Sequence, residues 1–301
     1  MSAKLGSSAN PFVRRGNQYF LRLQRHSLRS SYRNERAYLP PVLVNSLPKS
    51  GTHLLTQVVE ALPSNKDWGT FLVSSPSLTM REVPARRMEK RIVRLMPGEA
   101  AKGHLYWSRV CAAAIHERKV CSLFIYRDPR DVAASEAHYL ADMNRWHRMH
   151  REYAKLADPA DQLLLSIQGL EPQDGARSVV YPNIGQRVSN YLGWLEDPNT
   201  VAVRFEDLTD PDKIDGALTR IIDSYIATTQ ATGGDTVFEV KALVARCRQS
   251  INPKRSHTYR EGGGREVWRR TFSKEHVRAF KDVAGELLID LGYERDLDWT
   301  V

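Results

Sequence analysis

The sequence predicts an α/β protein of three layers, a central parallel sheet flanked by helices on both faces. Three observations lead there. Short aliphatic runs stand at Val42-Leu43-Val44-Asn45-Ser46, at Cys121 to Tyr126 and at Thr200 to Phe205, and each reads as a buried strand. Segments of helical period separate them: His53 to Leu62, Arg109 to Arg118, Asp131 to Leu140 and Asn183 to Leu195. Strands alternating with helices pair in parallel, because the helix supplies the crossover that a parallel pair needs.

The chain of 301 residues opens on a basic arm. Residues 1–39 carry Lys4, Arg14, Arg15, Arg22, Arg25, Arg29, Arg33 and Arg36 against Glu35 alone, a net of +7 out of the total of +9. The remainder, residues 40–301, holds 36 basic and 34 acidic side chains and reads as one domain. A body so nearly neutral excludes a broad phosphate-tracking surface, so no nucleic acid is expected as a partner. Within the arm, Arg22, Arg25, Arg29, Arg33 and Arg36 recur every three or four residues, which gives a helix one basic face. A peripheral contact with an anionic membrane surface, an anionic acceptor, or a solvated helix packed on the body all fit that face. The Arg- and Ser-rich start also has the composition of an organelle transit peptide.

No apolar stretch reaches the roughly 18 residues of a membrane span, and the start lacks the apolar core of a secretory signal. Cys111, Cys121 and Cys247 lie far apart with no C-x-x-C pair, which argues against a zinc site or a disulfide framework and for a cytoplasmic, reducing location. Residues 63–99 and 142–181 fit the alternation poorly and read as insertions over a binding cleft or as plain surface excursions. Residues 251–270 form a polar, Gly-rich loop, and Ser273 to Leu291 an amphipathic helix ending at Gly292.

Ligands of such sheets bind beyond the carboxyl ends of the strands. The first strand runs into Leu47-Pro48-Lys49-Ser50-Gly51-Thr52-His53, a Gly-containing turn at a helix N-terminus with an added lysine, which is a cradle for an anion. It lacks the G-x-x-x-x-G-K-[ST] order of a Walker A loop, which disfavours an ordinary nucleoside triphosphatase. The second strand ends in Arg127-Asp128-Pro129-Arg130-Asp131, followed by Ser135. Pro129 suits the first helical turn, and Asp128 and Asp131 suit the helix dipole, which leaves Arg127 and Ser135 for a second anion.

These segments resemble the PAPS-dependent sulfotransferases, where PAPS is 3'-phosphoadenosine 5'-phosphosulfate. Pro48 to Thr52 is similar to the family's 5'-phosphosulfate loop, and Arg127 to Ser135 matches its R-[ND]-P-[KR]-D-x-x-x-S segment for the 3'-phosphate. Lys102-Gly103-His104 resembles the K-x-H of the cytosolic branch, Phe205-Glu206-Asp207-Leu208 its Y-E-D-L turn, and Arg260-Glu261-Gly262 with Trp268 its late R-K-G motif. The resemblance runs from residue 40 to about residue 293 and implies a P-loop-like fold. Leu54 replaces an adenine-stacking tryptophan, Glu261 a lysine, Phe205 a tyrosine and His53 a threonine.

The resemblance implies transfer of a sulfuryl group from PAPS to a hydroxyl or amine of a carbohydrate or small-molecule acceptor, with PAP released and no metal required. His104 is the expected base, Lys49 the group that neutralises the leaving phosphate, and Lys102 a stabiliser of the transferring group. Lys49, Ser50, Gly51, Thr52 and His53 would hold the 5'-phosphate; Arg127, Ser135 and Arg260 the 3'-phosphate; Phe205 and Gly262 would complete the donor site. His138, three residues beyond Ser135, shares its helix face. The alternatives are a P-loop nucleotide kinase or hydrolase, and a non-catalytic member that only binds PAP or another anion. The basic residues Arg86, Arg87, Arg91, Arg145 and Arg148 hint at a polar acceptor.

Overall fold

The structure, a computed structural model, describes residues 11–27, 36–63, 65–171, 180–234, 237–255 and 264–301. Among the described residues, five parallel strands form one sheet in the order β2-β3-β1-β4-β5: β1 (Val42–Ser46), β2 (Lys66–Val73), β3 (Glu99–His104), β4 (Cys121–Tyr126) and β5 (Thr200–Arg204). The three aliphatic runs are β1, β4 and β5. Residues 63–99, expected as an insertion, supply β2 and the start of β3 instead. The chain leaves β1 for the β2 edge, returns through β3 and passes β1 to reach β4. The carboxyl ends of β3, β1 and β4 therefore lie side by side, Asn45 pairing with both Gly103 and Phe124.

The chain divides into two compact units. The first comprises residues 1–74, 83–126 and 193–259 and contains the whole sheet. Helix α1 (Pro11–Ser27) precedes β1, and α2 (Thr52–Ala61) follows it. Next come α3 (Ala85–Ile92) before β3 and α4 (Arg109–Glu117) before β4. On α2, Leu55, Val58 and Val59 are fully buried against Val42, Val44, Leu123 and Val203 of the sheet. Burial of that kind contributes roughly 1.5–3 kcal/mol per side chain, and it fixes α2 over β1. The N-terminus of α2 is thereby held beyond the strand's end.

Helix α1 carries part of the basic arm, and its inward side is partly polar: Asn17 and Leu21 are buried. Arg25 forks onto the buried Glu99, Nη2 to Oε2 at 2.8 Å and Nε to Oε1 at 3.1 Å. Glu99 also accepts from Thr70 Oγ1 at 2.6 Å and from the Met96 amide at 2.8 Å, so this carboxylate is saturated. Arg29 and Arg33 lie outside the described residues.

The second unit comprises residues 75–82, 127–192 and 260–301. Helix α5 (Pro129–His138) continues as a π-helical turn, Tyr139–Met143, and α6 (His150–Ala154) and α7 (Pro159–Gln168) follow. Helix α8 (Ile184–Glu196) comes next; in the first unit, after β5, the chain forms α9 (Phe205–Thr209), α10 (Ile214–Ala231) and α11 (Val240–Ser250). Two helices close the chain, α12 (Trp268–Thr271) and α13 (Lys274–Asp290). Ser273 caps α13 in a reciprocal box with His276, and Gly292 beyond its end is left-handed, as the sequence predicts. No described helix is long and apolar enough to cross a membrane.

Candidate active site

The loop from Leu47 to Gly51 is shaped by its backbone. Lys49 has φ of 67° and Gly51 of 101°, so two left-handed residues stand one apart. A lysine in that conformation is strained by about 1–3 kcal/mol, and strain of this kind collects where a backbone must aim its groups. Gly51 is required for a second reason: a Cβ there would sit 2.6 Å from the Phe205 ring. Phe205, the first residue of α9, thus closes the floor of the loop. Gly51 offers no side chain to cap α2, so the positive end of that helix stays open toward the loop.

Within the loop the Ser50 amide donates to the Leu47 carbonyl at 3.2 Å, closing a turn. The Ser50 hydroxyl is buried and has no hydrogen-bond partner. A buried hydroxyl without a partner costs about 1–3 kcal/mol, which a bound anion oxygen would offset. Amides at a helix start, one lysine and an orphaned hydroxyl are all donors, so the residues fit a phosphate group. Among the described residues no group of three or more His, Cys, Asp and Glu side chains has metal-binding geometry.

His104 ends β3, beside the end of β1. Asn45 clamps the next residue from both sides, accepting from the Leu105 amide at 2.8 Å and donating to its carbonyl at 3.0 Å; Trp194 Nε1 donates to the same carbonyl at 2.8 Å. The Nδ1 of His104 lies 3.0 Å from the Ser46 carbonyl and 3.1 Å from Ser46 Oγ, and that hydroxyl lies 2.6 Å from Thr52 Oγ1. The edge of Phe71 meets the ring, centroids 5.2 Å apart. Burial pushes the imidazole down to about 4, the bond to Ser46 opposing and the nearby Lys49 charge adding to the fall. The residue as a whole is half-buried. It is neutral at pH 7, with one nitrogen ready to take a proton.

Lys102, two residues back along β3, is engaged elsewhere: Nζ meets Asp67 Oδ2 at 2.6 Å. Asp67 is aimed by a bulge in β2, where Gly69 is left-handed and its amide donates to Asp67 Oδ1 at 2.7 Å. Leu54, which stands where the resemblance has an adenine-stacking tryptophan, is buried in the core.

The turn after β4 belongs to the second unit. Asp128 caps α5 by accepting from the Arg130 amide at 2.9 Å. It also takes the Arg130 guanidinium, Nη2 to Oδ2 at 2.7 Å, and Glu294 holds the other arm. The guanidinium lies over Trp268 at 3.7 Å and near Trp299 at 4.7 Å. Arg127 pairs with Asp131 at 3.2 Å and donates to the Gly264 carbonyl. Asp131 accepts from the Trp268 amide at 3.0 Å, and burial raises its pKa despite Arg127. Ser135 is partly exposed one turn beyond Asp131. His138, in contrast, pairs with Asp142 at 2.7 Å across the π-helical turn. Arg260 and Gly262 lie outside the described residues.

In the first unit, then, the fold brings Ser50, Gly51, Thr52, Phe205, Lys49 and His104 together. Sequence reasoning passed over Asn45 and Ser46, polar residues at the end of an aliphatic strand, and that polarity is the signal that marks them.

The sulfotransferase-domain family matches residues 39–223, well over half of the chain. Among solved structures, mouse sulfotransferase SULT7A1 complexed with PAP is similar at a TM-score of 0.56 and 18% identity, covering 88% of this chain and 92% of that one. Retinol dehydratase in complex with androsterone and PAP is similar at 0.54 and 15%, covering 88% and 85%. Its complex with retinol and PAP gives 0.52 and 16%, covering 88% and 86%. At such identity the likeness shows a shared fold. No curated protein sequence matches the chain.

Proposed function

The chain belongs to the sulfotransferase family, and we propose that it moves a sulfuryl group from PAPS to a hydroxyl, or an amine, of a small-molecule or carbohydrate acceptor, with PAP as the product. The observation that carries this reading is the buried, partnerless Ser50 hydroxyl in a left-handed loop at the start of α2, with the neutral His104 beside it.

When bound, PAPS supplies the sulfuryl group on a phosphate leaving group. Gly51 and Thr52 would hold the 5'-phosphate through their amides, joined by the Ser50 and Thr52 hydroxyls and by His53; the Ser50 amide is turned to Leu47. Lys49 would neutralise negative charge as the phosphate departs. His104 would accept the acceptor's proton at Nε2, since an alcohol attacks poorly while it keeps its proton. Lys102 would serve the transferring group by exchanging Asp67 for it. Phe205 would brace the loop from below. Arg127 and Ser135, with Arg260 and Gly262, would hold the 3'-phosphate, and Asp131 would keep the Arg127 guanidinium oriented.

The bound small molecules of the retinol dehydratase complexes support a small-molecule acceptor. Phe71, edge-on to His104, favours one with an apolar surface next to its hydroxyl. Helix α1 carries a further proposal, a peripheral contact with anionic lipid. Its outward residues Tyr19, Phe20 and Leu23 are 67%, 54% and 52% exposed, on a segment of strong positive charge. Co-sedimentation with vesicles containing phosphatidylserine, lost in Phe20→Ser with Leu23→Ser, tests it; equal binding by the double variant contradicts it.

The transfer reaction is tested with radiolabelled PAPS and pooled phenols, alcohols and sugars. Label should move to an acceptor with the intact chain and fail to move with Lys49→Ala or His104→Ala. Label transfer that survives both substitutions contradicts the assigned roles.

A further inference from the structure

We propose that Ser46 is a positioning residue that holds His104 with Nδ1 protonated and Nε2 open, and that it ties this base through Thr52 to the anion loop. The proposal rests on the reading of the site given above and adds to it a coupling between the loop and the base.

The argument starts from what each atom can do. A carbonyl oxygen only accepts, so the 3.0 Å contact between the Ser46 carbonyl and His104 requires the proton on Nδ1. Nε2 is then the nitrogen with a free lone pair. Ser46 Oγ, at 3.1 Å from the same Nδ1, can only accept from it, so its own hydrogen must go elsewhere. Thr52 Oγ1 at 2.6 Å is the better acceptor, because the alternative, the Gly103 carbonyl, lies at 3.4 Å. Thr52 then keeps its own hydroxyl hydrogen for an anion in the loop. The donors point one way, from imidazole to serine to threonine to the loop.

A chain of aligned hydrogen bonds polarises along its length. A proton gained at Nε2 makes Nδ1–H a stronger donor, and an anion beyond Thr52 strengthens the same direction. Each event therefore favours the other, and by linkage the effect is mutual. Without a loop anion, burial and the Lys49 charge hold His104 at about 4, a weak base at neutral pH. The other groups packed against the ring leave that balance alone: β2 presents the uncharged Phe71, and Lys102 on β3 itself is paired with Asp67. Anion binding in the loop thus raises the basicity of the group that needs it. Ser46 is fully buried, so solvent does not substitute for its hydroxyl.

The test is a nitrogen-15 NMR titration of the labelled imidazole in the full chain, with and without PAP, alongside calorimetry of PAP binding. The intact chain should show the Nδ1–H form and an upward shift of the His104 titration when PAP binds. Ser46→Ala should bind PAP within a few-fold of the intact chain, yet show less than half of that shift, and should lose roughly tenfold or more in kcat. Ser46→Thr, which keeps the hydroxyl, should restore both. An Nε2–H form overturns the proposal, and so does an equal PAP-induced shift in Ser46→Ala. PAP that binds without moving His104 overturns the coupling alone; PAP that fails to bind the intact chain removes the functional reading and the coupling with it. The intact-chain titration decides the tautomer even where a variant does not fold.

Discussion

The loop after β1 and the turn after β4 are both rich in groups that attract anions, yet they are built on opposite principles. In the loop, Ser50 Oγ has no partner, Gly51 gives α2 no side-chain cap, and Lys49 is held in a strained conformation. In the turn, cations are answered: Arg130 by Asp128 and Glu294, Arg127 by Asp131 and the Gly264 carbonyl. The first region leaves a buried hydroxyl and an open helix start for a ligand, whereas the second commits its arginines to holding α5, α12 and the end of the chain. Substitutions in the loop should therefore change chemistry and spare stability. Those in the turn should do the reverse, except at Arg127 and Ser135.

The sharpest way to break that contrast is Lys49→Gly. Glycine relieves the left-handed strain, so Tm should hold or rise, while sulfuryl transfer should fall by about 10³-fold. A drop in Tm together with modest loss of activity would make Lys49 a structural residue. The converse is Arg130→Ala, which strands two carboxylates, Asp128 nearly buried and Glu294 partly so. Denaturant unfolding should show a loss of about 3–5 kcal/mol, with activity per folded molecule largely kept.

His104→Gln joins the two regions' logic, since it removes a base and a buried titratable group at once. Activity should fall by about 10²-fold. Its stability should change with the opposite benefit. The unfolded imidazole takes up a proton near its ordinary value of 6.5, and the folded one refuses it until about 4, so the intact chain loses stability as pH falls through that window. The variant should lose less over the same range in acid unfolding. The smallest effect belongs to Asp67→Asn. Its pair with Lys102 is about a quarter exposed, so stability should shift by less than about 1 kcal/mol. Release of Lys102 should lower KM or raise kcat if that lysine serves the transferring group, and an unchanged rate would remove it from the site.

The legible part of the fold was its runs of aliphatic residues. Strands β1 and β4 are buried inside the sheet, and β5, an edge strand that is mostly half-buried, is read from its largely β-branched run Thr200 to Val203. Strand β2, the other edge strand, escaped notice because it has Lys66, Asp67 and a bulged Gly69 in place of a steady aliphatic run. Strand β3, Glu-Ala-Ala-Lys-Gly-His, is composed largely of residues that favour helices, and its pairing between β2 and β1 overrides that preference. In the site, Lys49, Gly51, Thr52 and His104 could be read from motif and position. Ser46 and Asn45 could not, because their partners are 60 residues away or nearly so, and such pairings exist only once β1 and β3 have met.

The central claim is that the loop after β1 is a site for a phosphorylated adenosine donor. Calorimetry of PAP against ATP with magnesium, on the intact chain and on Lys49→Gly, tests it most directly. PAP should bind at least about tenfold more tightly than ATP with magnesium, a difference of about 1.4 kcal/mol, and Lys49→Gly should weaken PAP binding. Preference for ATP with magnesium, or PAP affinity indifferent to Lys49, would contradict it.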